Sequence, residues 1–422
     1  MINFYKHNED LKQSYNDKTP ANSHKLSNSV CLDSIDDILR ECLDLEEMRK
    51  AGSFFTGQKL ASLLVNKFSS PIDTSSLVVD PTCGAGNLLI ESSRHLPVFP
   101  SLKNTLEAWG KVLHGYDIYD AFIEAAKLRL IFEAIGRGAL QDCTIEESLS
   151  LLQNIKVKDV MSLSEGELDK ATHALMNPPF TQWSSPNSGF WKKGKINAAG
   201  IVFEHILNIL PASCSVSTLL PEVLRSGSRY KCWRQYVESK FRGTAEVFGR
   251  FNAKTDVDVF ILSGVKSSSC STDLIAWNRA SFGKARIDDL FLVHIGPLVA
   301  YRDPENGGLH PYLHPKNASP WSTLNNINET RKFSGKVFRA PFVVIRRTSS
   351  PSDQYRAVAS VVNVKEPVAV ENHLIVLQPK DGELRTCEKL INILKTEETN
   401  KYLNNTIRLR HLTVGAVKSI PL

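Results

Sequence analysis

No apolar run in this 422-residue sequence approaches the ~20 residues that a membrane-spanning helix needs. No CxxC pair occurs among the eight cysteines. That argues against a zinc framework or a disulfide scaffold and fits reduced thiols in a cytoplasm. No cluster of metal-ligating residues and no internal repeat is visible. The first 29 residues lack an apolar h-region and do not read as a secretory signal. They are polar, so residues 1–30 are expected to form a disordered tail. Charge of neither sign is in large excess: the net is +6 and the pI ≈ 8.8. This permits a nucleic-acid partner without demanding one. What is present is ordinary globular composition, 42% hydrophobic and 23% charged, with enough length for two domains.

Two amphipathic helices are expected first. "LDSIDDILRECLDLEEMRKAG" would be capped by Asp33 or Ser34 and stopped at Gly52. "GQKLASLLVNKF" places Leu60, Leu63, Leu64 and Phe68 on one face. From Leu77 strand-like and helix-like runs alternate: "SLVVD", "GNLLIESSRHL", "KVLHGYDI", "AFIEAAKLRLIFEAIG", "NIKVKDV", "HALMN", "AAGIVFEHILNIL", "SVSTLLP" and "DVDVFILSG". Alternation of this kind argues for an α/β fold with a doubly wound, mostly parallel sheet. After about Ser267 short β-like runs and turns take over. The expected division is residues 31–270 for the α/β domain and 271–422 for a smaller, β-rich C-terminal domain.

The chemistry-bearing residues fall at strand ends, where an open α/β sheet binds its ligands. "VVDPTCGAGNLLIES" is a strand ending at Asp80, a turn with Gly84 and Gly86, and a helix. The glycines allow positive φ and close approach of a ligand to the backbone. The spacing is neither G-x-G-x-x-G nor a P-loop, which disfavours a dinucleotide or nucleoside triphosphate. Asp80 would repel phosphate and suits a cationic or amino-acid group. "HGYDIYD" ends a second strand with Asp117, placed to accept from a ribose diol, and Ile118, placed to pack on an adenine face. "KVKDVMSL" ends a third with Asp159, placed to accept from an exocyclic amine. Each Asp alone reads better as a helix cap or a turn residue; together, at successive strand ends and in this order, they point to a site. "HALMNPPFTQW" ends a fourth with Asn177-Pro178-Pro179-Phe180, a stiff turn that removes two backbone donors.

In this order the motifs resemble those of the S-adenosylmethionine-dependent DNA methyltransferases that modify adenine N6. "DPTCGAGNLLI" is similar to their cofactor motif and "NPPF" to their catalytic motif. "RKAGSFFTGQKLASLLV" resembles the segment that precedes the cofactor motif, although Thr56 is followed by Gly57 where the family usually has proline. The resemblance implies a Rossmann-like methyltransferase sheet. It also implies a cofactor site built from Thr56, Asp80, Pro81, Cys83, Gly84, Gly86, Asn87, Asp117, Ile118, Asp159, Val160 and Asn177. Methyl transfer would go to a flipped-out adenine in duplex DNA. The Asn177 side-chain oxygen and the Pro178 carbonyl would accept from the amine, Pro179 would stiffen the turn, and Phe180 would stack on the base. Phe251 is the candidate for a second aromatic wall and equally reads as core. Arg225, Ser226 and Arg229 either touch phosphate or are solvated.

The resemblance further implies a C-terminal target-recognition domain and a restriction-modification setting, with a cognate endonuclease or specificity subunit as partner. "VVIRRTSSPSDQYRAVAS" and "TIRLRHLTV" are similar to recognition-domain segments. Residues 331–360 hold seven Lys/Arg and one acidic residue. Arg346 and Arg347 are the substrate-binding candidates there, and strand alternation would turn them to opposite faces. The alternatives are a methyltransferase acting on RNA or on protein glutamine, and a non-catalytic DNA-binding subunit that keeps the fold.

Overall fold

The computed structural model describes residues 2–17, 30–42, 55–186, 190–252, 255–267, 275–277 and 285–422. The chain divides into two compact units, Met1–Trp277 and Asn278–Leu422. The division therefore falls after Trp277, not after residue 270. Ile275 and Trp277 explain the shift: both are buried in the core of the first unit, where the Trp277 ring packs against Trp233 and Phe260.

The first unit is organised by a seven-stranded sheet. In chain order its strands are β1 (Val78–Asp80), β2 (Leu113–Asp117), β3 (Ile155–Val157), β4 (His173–Met176), β7 (Ser215–Pro221), β8 (Phe241–Asn252) and β9 (Thr255–Lys266); β5 (Gln182–Ser184) and β6 (Lys195–Asn197) form a separate hairpin. The spatial order is β3-β2-β1-β4-β7-β9-β8. The first five strands pair in parallel and the last two join antiparallel. All of β1, β4 and β7 is buried, as expected of strands covered on both faces. The chain runs outward from β1 to β3 and then returns to the other side at β4. The crevice of such a sheet opens at that reversal, beyond the C-terminal ends of β1 and β4. That edge carries Asp80 and Asn177.

Two expectations change. Residues 2–16 are not a disordered tail but a helix, Ile2–Asn16. Phe4, Asn8, Leu11 and Tyr15 recur at helical spacing on its buried side. Asn8 donates to the Ala121 carbonyl at 2.9 Å and the Tyr15 hydroxyl to the Cys143 carbonyl at 2.6 Å. The outward side is so polar that average composition hides the stripe. Residues 18–29 lie outside the described residues. The first expected amphipathic helix forms over Ser34–Cys42; its continuation, including the stop at Gly52, also lies outside them.

The second unit holds a five-stranded sheet made of β10 (Phe291–Ile295), β12 (Thr323–Leu324), β14 (Phe342–Arg346), β15 (Ala359–Val362) and β17 (Leu374–Pro379). A three-stranded sheet joins β11 (Gly308–Leu313), β13 (Thr330–Phe333) and β16 (Ala369–Val370). Three helices, Leu384–Leu394, Glu397–Thr406 and Val414–Lys418, close the chain. Arg356, 1% exposed, ties the two recognition-like segments together. Its guanidinium donates to the Asn404 side chain and to the carbonyls of Ile407 and Leu409, and its Nε to the Ser349 hydroxyl.

Candidate active site

The crevice at the β1/β4 edge holds an open cavity of about 170 Å³. Thr56, Asp80, Pro81, Cys83, Gly84, Asn87, Asp117, Ile118, Asp159, Val160, Asn177 and Pro179 all line it. Four strand ends and the segment at Thr56 thus converge on one space. Gly86 stands behind the wall. Its φ of +84° and a Cβ position 2.8 Å from the Ala126 Cβ leave room for no side chain. Gly84 adopts φ +51°, and a Cβ there would lie 2.7 Å from the Phe55 ring.

The loop after β1 is held from both sides. The Cys83 amide donates to the Tyr116 carbonyl at 2.9 Å, and the Gly84 amide to Asp117 Oδ2 at 3.1 Å. Asp117 Oδ1 accepts from the Tyr119 amide at 2.9 Å, so this carboxylate fixes its own turn as well as the glycine loop. Asp80 accepts from the Thr82 amide. Asp159 caps the short helical turn Val160–Ser162 through the Met161 amide. The cap reading of these aspartates therefore holds in part, and each also faces the cavity. Ile118 is 54% exposed and lines the cavity beside them.

Burial, opposed by one or more backbone N–H bonds, sets the carboxyl acidities. Asp80 is pushed up to about 8, by burial first and by the neighbouring Asp117 charge. Burial raises Asp117 to about 6. In the unfolded chain each would titrate near 3.8. Between those values the folded state binds more protons, so stability falls as pH rises. The contribution is fully present below the unfolded value and is lost as pH rises through about 6 for Asp117 and about 8 for Asp80. Thermal melts of the ligand-free chain are expected to show a falling melting temperature from pH 5 to 8, and a flatter profile for Asp80→Asn. An equal slope in both would contradict the burial assigned to Asp80.

Asn177 is positioned by Thr56. The Asn177 Nδ2 donates to Thr56 Oγ1 at 2.9 Å, and the Thr56 carbonyl accepts from Asn87 Nδ2 at 2.7 Å. Asn87 also donates to the Leu32 carbonyl and accepts from Arg129 Nη1 at 2.6 Å. Its amide is spent on structure, so it orients the loop. Arg129, fully buried in the helix Asp120–Gly136, clamps the Ala85 carbonyl at 2.6 Å with the same nitrogen. Thr56 thus links the glycine loop, through Asn87, to the β4 turn, through Asn177. Phe180 is half-buried and meets Phe251 edge-on, with ring centroids 6.1 Å apart. Phe251 is only 4% exposed and belongs to the core cluster against which Phe180 packs.

Sequence reasoning missed several wall residues. Phe55, Tyr119, Phe122 and Trp183 also line the cavity. Tyr119 and Phe122 follow Asp117 so closely that the strand end itself was the available signal. Arg129 gave none, because it reads as the polar side of a helix. Arg225 is corrected outright. It is 1% exposed, paired with Glu222 at 2.6 Å, and donates to the Trp277 carbonyl, so it neither meets phosphate nor lies in solvent. In the second unit Arg346 donates to the Ala318 carbonyl and Arg347 to the Asn372 carbonyl. Both are half-buried, whereas Lys332, Lys336 and Arg339 are exposed.

Residues 38–213 match the family model described as N-6 DNA Methylase. No curated protein sequence matches the chain. Among solved structures it is similar to the type IIL restriction-modification enzyme MmeI, determined in complex with DNA, at 12% identity and a TM-score of 0.53. That alignment covers 92% of this chain and 70% of MmeI and shows the shared fold. The type IIG restriction endonuclease BpuSI aligns at 13% identity and a TM-score of 0.46 over 92% of this chain, which spans 60% of BpuSI. The EcoKI M protein of a type I restriction enzyme aligns at 16% identity and a TM-score of 0.36, covering 55% of this chain and 47% of that one. Residues 38–213 are thus similar to the N-6 DNA methylase family, and the cofactor that this similarity implies is S-adenosyl-L-methionine.

Proposed function

We propose that the chain methylates N6 of an adenine flipped out of a specific duplex DNA sequence, as the modification activity of a restriction-modification system. The observation that carries this reading is the Asn177 amide, held by Thr56 at the rim of the cavity that Asp80, Asp117 and Asp159 line. Those three carboxyls suit the amino group, ribose hydroxyls and adenine amine of S-adenosylmethionine, and Ile118 suits the face of its adenine ring. Burial makes the ionised form of Asp80 costly, and a cationic ligand offsets that cost. The cofactor supplies an electrophilic methyl group; the chain's part is to prepare the amine that receives it.

An exocyclic adenine amine is a weak nucleophile because its lone pair is delocalised into the ring. Acceptors for both N–H bonds draw the nitrogen toward tetrahedral geometry and free that pair. With Nδ2 committed to Thr56, the other end of the Asn177 amide is an acceptor, and the Pro178 carbonyl is the second. Two consecutive prolines fix that carbonyl before substrate arrives, so little reorganisation remains for the reacting step. Phe180, backed by Phe251, gives the extruded base a ring to stack on.

Transfer of tritiated methyl groups to duplex DNA, RNA and protein in parallel tests this directly: label in duplex DNA alone is expected, and label confined to RNA or protein overturns it. Thr56→Val, which keeps the shape and removes the hydroxyl, is expected to lower turnover about ten-fold, the scale of one hydrogen bond. Thr56→Ser should restore it. Loss in both variants would show that the hydroxyl is not what matters. Asp117→Ala should weaken S-adenosylmethionine binding by ~1–3 kcal/mol in calorimetry, since it removes hydrogen bonds to a charged group; unchanged affinity would take Asp117 out of the site.

A further inference from the structure

The segment that follows the catalytic turn has a feature that the transfer chemistry does not use. Between Asp169 and Glu204 the sequence contains no acidic residue, and three of its lysines, Lys192, Lys193 and Lys195, sit together in "WKKGK". All three are exposed, and none forms an ion pair among the described residues. They lie at the end of the β5–β6 hairpin, whose other end is the catalytic turn itself. Asn197, the last residue of β6, donates to the Phe180 carbonyl at 3.2 Å, and the Ala198 amide donates to the Thr181 carbonyl at 2.8 Å.

The hairpin is built as a stiff arm. Gln182 pairs with Asn197, Trp183 with Ile196 and Ser184 with Lys195, and the Ser185 amide adds a bond to the Gly194 carbonyl. Arg229 pins the lysine backbone by donating to the carbonyls of Lys192 and Lys193, at 3.2 and 2.7 Å. Phe190 stacks on Tyr236 with centroids 4.9 Å apart, and Trp191 donates to Glu204 at 2.6 Å. The backbone is therefore anchored while the three ammonium groups face solvent. At one end of the arm Trp183 lines the cavity. Three extended residues span roughly 10 Å, the distance from the catalytic turn to Lys195 along the hairpin.

Resting on the reading of the chain as a DNA methyltransferase, we propose that this lysine arm grips the phosphates of the strand that carries the extruded nucleotide, close to the target base. Successive phosphates of one DNA strand lie about 3.4 Å apart along the helix axis, so an arm of roughly 10 Å meets one or two nucleotides from the target. Lysine suits this role because it meets phosphate as a point charge without demanding a base sequence. The arm thus supplies grip and register at the catalytic edge, independent of sequence recognition.

The test is binding of a labelled duplex by the full chain at several salt concentrations, for wild type, the triple variant Lys192→Gln/Lys193→Gln/Lys195→Gln, and the corresponding triple Lys→Arg variant. Each phosphate that is no longer neutralised should reduce the log–log salt slope by about 0.9, so the glutamine variant is expected to lose up to about 2.7 of the wild-type slope. Its affinity for S-adenosylhomocysteine should match wild type, which reports an intact fold, and the arginine variant should keep the slope. A glutamine variant with the wild-type slope overturns the arm while leaving the methyltransferase reading in place. So does a loss of slope that the arginine variant shares. A wild-type chain that neither binds nor methylates duplex DNA overturns both.

Discussion

Asn177→Ala is expected to leave S-adenosylmethionine affinity within a few-fold of wild type and to lower the rate of methyl transfer by about 10²–10³-fold, the scale for removing one preorganised polar group that stabilises a transition state. The separation of the two effects follows from the geometry. The Asn177 side chain spends its nitrogen on Thr56, so truncation leaves the glycine loop and its clamps, Asn87, Asp117 and Arg129, in place. What disappears is an acceptor for the target amine. Calorimetry on the cofactor and single-turnover transfer measured on the same preparation would check this. A variant that kept a substantial fraction of wild-type turnover would contradict the role given to Asn177, and one that lost cofactor binding would show that the residue serves the cavity instead.

A chain ending at Trp277 is expected to keep cofactor binding and lose tight, sequence-specific binding to duplex DNA. The first unit retains its own core through Ile275 and Trp277. The second unit carries the exposed Lys332, Lys336 and Arg339, with Arg346 and Arg347 half-buried beside backbone carbonyls. If that unit reads the DNA, its removal should drop affinity to the sequence-independent level, about 10³-fold or more below specific binding. Single charge-removing substitutions then distinguish roles. A phosphate contact weakens all sequences alike, whereas a base contact relaxes specificity at one position. Equal, negligible effects at Arg346 and Arg347, with specific binding intact in the shortened chain, would show that the recognition function lies elsewhere.

The cavity edge was legible because parallel strands print their ends in the sequence. A buried apolar run followed by a carboxylate or by Asn-Pro-Pro marks the same edge four times, and the parallel arrangement brings those marks together. Residues that act through another residue left no such print. Asn87 sits in the cofactor motif, yet its amide is consumed by Thr56, Leu32 and Arg129. Arg129 and Arg356 read as surface positions but are fully buried because backbone carbonyls and amide side chains surround their guanidinium groups. Arg225 read as a phosphate contact or a solvated residue because charge counting does not see its pairing with Glu222, three residues away in the same short helix. The N-terminal helix was hidden for the opposite reason: one narrow apolar stripe supports it against an otherwise polar sequence.

We propose that this chain places methyl groups on adenine N6 in DNA. The most direct test is sequencing of genomic DNA, by a method that detects N6-methyladenine, from a host lacking this modification that expresses either the wild-type chain or Asn177→Ala. N6-methyladenine is expected at one recurring sequence motif with the wild-type chain and none above background with the variant. Soluble, cofactor-binding wild-type protein with no methylated motif, or the same motif methylated by both chains, would contradict the proposal.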